Sequence, residues 1–141
     1  MGKTILNPSK ELALHKYVQE QMGGSYLRGK NDCATFAAGA LDLLTGGSLQ
    51  EKITGQWHDE KTALAYIKKN GSIGAHWERE GCKFIPTEYM TTGDFPVIRD
   101  TKTLLVGVCL GSKTAINTVD EGVAIFPNEI LENIVGVWRA R

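Results

Sequence analysis

Apolar positions in the first half of the chain recur at helical spacing. Between Asn7 and Gly24, Leu14, Tyr17, Val18 and Met22 form one stripe among polar and charged residues. Asn7 can cap such a helix, Pro8 fits its first turn, and Gly23-Gly24 ends it. His15 sits beside the stripe and reads as a surface residue. A second helix is predicted from Cys33 to Thr45, with Asn31 or Asp32 as N-cap and Gly46-Gly47 as its stop. Ala34, Phe36, Ala37, Ala38, Ala40, Leu41, Leu43 and Leu44 cover nearly every face of it, and only Asp42 interrupts them. A helix that is apolar all round is a buried one, and the small residues from Ala37 to Ala40 let other backbones come close. A third helix is predicted from Asp59 to Lys69, with Ala63, Leu64 and Ile67 flanked by lysines and Asn70-Gly71 after it. The loop before it carries Trp57 and His58, which read either as an exposed contact pair or as a tryptophan wedged onto the core with a polar neighbour. Ser72 to Trp77 reads as a short strand or turn, with His76 exposed beside a packed Trp77.

After residue 80 the pattern shifts towards period two and β-branched residues. Strands are expected at Phe95–Arg99, Thr103–Leu110, Lys113–Thr118, Val123–Phe126 and Ile134–Arg139, most of them separated by short turns such as Gly111-Ser112. Connections this short favour antiparallel neighbours. Helices first and strands second predict an α+β domain, the helices packed on one side of a curled antiparallel sheet. At 141 residues the chain suits one such domain, residues 1–141, with enough core to need no disulfide or metal.

Composition narrows the partners. Lys+Arg and Asp+Glu are 16 each, which leaves no excess positive charge to neutralise a nucleic acid backbone. Cys33, Cys82 and Cys109 are odd in number and widely spaced, so neither a disulfide framework nor a zinc site is expected, and no cofactor is implied. The first ten residues hold no apolar leader, and no run approaches the ~20 apolar residues of a membrane span. The expectation is a protein made in a cytoplasm.

Candidate chemistry gathers at Cys33. A cysteine in the first turn of a buried helix meets unpaired amides and the macrodipole, which favour the thiolate. Asp32 beside it opposes that charge unless its carboxylate turns away to cap the helix. A working thiolate also needs a base, normally a histidine held by a third polar group, and both must come from elsewhere in the chain.

The stretch Tyr26-Leu27-Arg28-Gly29-Lys30-Asn31-Asp32-Cys33-Ala34-Thr35-Phe36 resembles the Tyr-x-x-Gly-x-x-Asp-Cys-x-x-Phe motif of the NlpC/P60 branch of papain-like cysteine hydrolases. Gly93-Asp94-Phe95-Pro96-Val97 is similar to that family's Gly-Asp-Leu strand entry, and Leu105-Val106-Gly107-Val108-Cys109-Leu110-Gly111 to its His-Val-Gly-Ile-Tyr-Leu-Gly. Order and spacing agree over about residues 10 to 118. The resemblance implies a papain-like fold with Cys33 as nucleophile and, counting on to the next strand, Asn117 as the residue that orients the base. It also places the family's catalytic histidine on Leu105, which cannot accept a proton. Period two would set Leu105, Gly107 and Cys109 on one strand face, with Leu105 towards Cys33. A substitute base would have to be His58 or His76.

A smaller set of NlpC/P60-like proteins from phage and prophage tail modules resembles the chain further, through Gly122-Val123-Ala124-Ile125-Phe126-Pro127 and the ending Val137-Trp138-Arg139. That resemblance implies a structural component of a phage tail tip or baseplate, catalytically degenerate, assembled in the host cytoplasm into the virion beside other tail proteins. The alternative is a cysteine peptidase or amidase that cleaves peptidoglycan peptides during phage entry. A third reading is a host cytoplasmic thiol enzyme or acyltransferase of the same fold.

Overall fold

A computed structural model of the chain describes residues 6–101 and 103–140. The architecture is α+β. Five helices come first, α1 (Pro8–Gln21), α2 (Cys33–Thr45), α3 (Leu49–Ile53), α4 (Glu60–Asn70) and α5 (Ile73–Arg79). The strands follow as β1 (Lys83–Ile85), β2 (Asp94–Asp100), β3 (Thr103–Val106), β4 (Val108–Cys109), β5 (Lys113–Thr118), β6 (Gly122–Pro127) and β7 (Ile134–Arg139). They form a four-stranded sheet, β1-β7-β2-β3, and a three-stranded sheet, β4-β5-β6, with every pair antiparallel.

α2 has the bounds that its apolar run predicts, and it is the centre of the core. Phe36, Ala37, Ala38, Ala40, Leu41 and Leu44 are all buried. It packs on α1 and α3 on one side and on β3 and β5 on the other. Gly39 is where small size is needed, because a Cβ there would collide with the Tyr17 hydroxyl and the Gln50 side chain. Tyr17 uses that space to donate its hydroxyl to Phe36 O at 2.7 Å, and its ring stacks on Phe36 at 5.5 Å. Asn7 caps α1, accepting from Ser9 N at 2.8 Å. Met22 leaves the apolar stripe, however, and stands 44% exposed at the helix end.

Three departures from the sequence reading matter for the site. The single strand expected over Thr103–Leu110 breaks at Gly107, where the chain passes from one sheet to the other. Gly107 N donates to Pro96 O, and a Cβ at 107 would press 2.6 Å from a Thr114 methyl, so the crossing needs glycine. Ser72–Trp77 is not a strand or turn. Ser72 caps α5, and the helix buries Trp77 and leaves His76 half-buried rather than exposed. Finally, α3 and β1 are too short to show a period in the sequence.

Among the described residues, no helix is long and apolar enough to cross a membrane.

Candidate functional site

The N-terminus of α2 is built around Asp32. Its residue is 3% exposed, and its carboxylate accepts four hydrogen bonds. Oδ1 takes Thr35 N and Thr35 Oγ1, each at 3.0 Å, and Oδ2 takes Gly29 N and the Trp57 indole Nε1, each at 2.8 Å. Thr35 Oγ1 in turn accepts from Asp32 N at 2.9 Å, which closes a capping box. Asp32, not Asn31, is therefore the N-cap. Gly29 must be glycine here, since its φ is +86° and a Cβ would run into the Trp57 carbonyl. Trp57 is 7% exposed, so it is the wedged core residue of the two readings and not half of an exposed contact pair.

This knot sets Cys33 at the first position of α2, on the wall of a cavity of about 620 Å³. Leu105 from β3 and Asn117 from β5 line the same cavity, as does His76 from α5. Cys33, Leu105 and Asn117 thus all line one cavity, but on β3 it is Leu104 and Val106 that join the core with α2, while Leu105 pairs with Ile98 outside that cluster. His58 does not line the cavity. Its side chain is 76% exposed and lies against Asp59, with Nδ1 3.4 Å from Oδ2.

The electrostatics around the thiol oppose a thiolate. Burial pushes the Cys33 thiol up to about 11, and the Asp32 charge acts in the same direction. The Val106 and Ala34 backbone amides and Arg28 pull it down without overcoming burial.

Asn117 does not hold an imidazole. The residue is 1% exposed, and its Nδ2 donates to Asn31 Oδ1 at 2.9 Å and to Asp32 O at 3.3 Å, tying β5 to the start of α2. Its Oδ1 is buried with no hydrogen-bond partner among the described residues. His76 stacks flat on Tyr66, with ring centroids 5.4 Å apart, and its Nε2 is also buried without a partner. Burial, then Arg79, lowers the His76 pKa, so the ring is neutral at pH 7. No hydrogen bond among the described residues joins His76 to Cys33.

The three cysteines stay apart as free thiols, and no group of three His, Cys, Asp or Glu side chains among the described residues could hold a metal ion. The sequence left the cap between Asn31 and Asp32, and gave no sign that Trp57 and Gly29 complete the Asp32 knot. A loop tryptophan 25 positions away carries no local signal of such a bond.

No curated protein matches the chain. The family model described as Domain of unknown function (DUF6950) spans residues 8–140, and the chain belongs to that family.

Proposed function

We propose that the protein is a non-hydrolytic domain with a papain-like NlpC/P60 fold, serving as a structural component of a phage tail tip or baseplate. The observation that carries this reading is a partly buried thiol, pushed up to about 11, in a cavity that is also lined by Leu105, the residue at the position the resemblance gives to the base. Attack by sulfur on a peptide carbonyl requires a group to take the thiol proton, and leucine cannot take it. The placement in a tail rests on the resemblance of the Asp32-Cys33 helix and the Val137-Trp138-Arg139 ending. It implies other tail proteins as partners and assembly into the virion in the host cytoplasm. Cys33 at a helix start, with Asn117 of β5 hydrogen-bonded to that start and Leu105 of β3 lining the same cavity, supports the papain-like reading.

One observation favours the second reading, a cysteine peptidase or amidase acting on peptidoglycan. Neutral His76 lies on the same cavity wall as Cys33. To serve as base it would have to leave its stack on Tyr66 and turn towards the sulfur.

Two assays separate the readings. Incubated with purified peptidoglycan, the protein is expected to release no peptides above a blank, and Cys33→Ser should leave both its folding and its recovery in purified tail particles unchanged. Peptide release by the wild type that Cys33→Ser abolishes overturns the structural reading, and absence of the protein from the particles overturns its placement in a tail.

A further inference from the structure

The cavity in front of Cys33 is wider and more apolar than a nucleophile would need. Trp57, Tyr66, Trp77 and Leu104 line it. At its mouth Leu64, Ile67 and Val119 are 58%, 42% and 64% exposed. α4 has no fully buried residue: Ala63 and Tyr66 lean on the core, while Leu64 and Ile67 stay exposed at the cavity. A volume of about 620 Å³ lies within the ~300–1,000 Å³ of ligand cavities.

Three polar atoms of the lining residues are buried without a partner among the described residues: Asn117 Oδ1, which can only accept, Trp77 Nε1, which can only donate, and His76 Nε2. The Asp32 carboxylate is already committed to its four donors. Around the mouth stand Glu60, Asp100, Asp120 and Glu121, all exposed, and Arg28 is the one basic side chain among the described lining residues. The site therefore offers apolar walls, an unmatched acceptor, an unmatched donor and a negative rim, which suits a peptide carrying both N–H and C=O groups.

We propose that this cavity binds a linear segment of a partner protein in which one bulky apolar side chain is flanked by lysine or arginine. The apolar side chain enters between α4 and the α2–β3 wall, an N–H of the segment reaches Asn117 Oδ1, and the basic residues face the acidic rim. Charge complementarity selects this occupant over an acidic segment, and the unsatisfied amide oxygen selects a ligand with donors over a purely apolar one. The proposal rests on the structural reading of the site, since the peptide is held and not cut.

The probes are three blocked peptides: Gly-Lys-Phe-Lys-Gly, the same peptide with Glu for both lysines, and the same peptide with Ser for Phe. Calorimetric titration is expected to show the first binding at least about tenfold more tightly than either other. The exposed substitutions Asp120→Lys with Glu121→Lys should weaken the first peptide several-fold and strengthen the acidic one. Ile67→Asp, also at an exposed position, should weaken the first. Equal affinity for the basic and acidic peptides, or no binding of the first tighter than about 1 mM, overturns the proposal. So does a dimer in sedimentation that Leu64→Asp dissolves, which would make a second copy the occupant. Mass spectrometry of the recovered peptide keeps the two claims apart. Cleavage at the bound peptide defeats the non-hydrolytic reading and leaves the peptide site standing, whereas failure to bind defeats the peptide site alone.

Discussion

Replacing Asp32 with alanine is expected to lower the unfolding free energy by about 3–7 kcal/mol. The loss of a helix cap alone costs about 1 kcal/mol. Here the same carboxylate also satisfies Gly29 N and the Trp57 indole, and its removal strands both donors where the surrounding protein excludes water. Each stranded buried donor adds roughly 1–3 kcal/mol. Asp32→Asn keeps one acceptor oxygen for the cap and should lose less. Urea melts of the wild type, both variants, Trp57→Phe and the Asp32→Ala/Trp57→Phe double variant give the test, since Asp32→Ala and Trp57→Phe remove the same hydrogen bond and should be non-additive. A loss under about 1 kcal/mol for Asp32→Ala, the size of a solvated cap, would mean that the knot does not hold this end of the fold.

Phe36→Ala should be comparably damaging, at about 3–5 kcal/mol. The ring is 2% exposed, stacks on Tyr17 and belongs to the cluster that joins α1, α2 and the sheet. Its removal leaves a hole that the rigid neighbours on α1 cannot close, because the Tyr17 hydroxyl is already fixed to Phe36 O. An unchanged dependence of the melt on urea would show that the cost lies in the core and not in a changed unfolded state. A cost below about 1 kcal/mol would contradict the packing described for α2. Together the two variants assign the Asp and Phe of the Asp-Cys-x-x-Phe stretch to holding the fold, whatever Cys33 does.

The helices were legible where periodicity and caps coincide. α2 has both, an apolar run and Asp32 beside it, and its bounds follow. α5 has only seven residues, and Gly74 within it argues locally against a helix. The chain tolerates glycine there because the Trp138 ring lies against it, a contact from the far end of the sequence. The β3–β4 break was hidden for a similar reason. Leu104–Val106 and Val108–Cys109 read as one strand interrupted by a single glycine, and only the crossing between two sheets makes Gly107 a boundary. Leu105 and Asn117 were singled out by the resemblance, and both line the cavity. Trp57, in contrast, is placed by a hydrogen bond 25 residues back, and His76 by a helix that the local pattern does not announce.

At neutral pH Cys33 is expected to be a protonated thiol without a base. Its rate of alkylation by iodoacetamide against pH, read by peptide mapping, tests that directly, because the thiolate is the reacting form. Folded and unfolded thiols differ in sign-defined fashion. The folded group keeps its proton to about 11, while an unfolded cysteine ionises near ~8.5, so folding loses stability as pH rises through that window. Cys82 and Cys109, both buried, report any unfolding by becoming labelled alongside Cys33. The account predicts labelling of Cys33 slower than a free thiol at neutral pH, rising only towards about 11, and unaffected at neutral pH by His76→Ala. Rapid labelling that persists below neutral pH, and that His76→Ala abolishes, would contradict it.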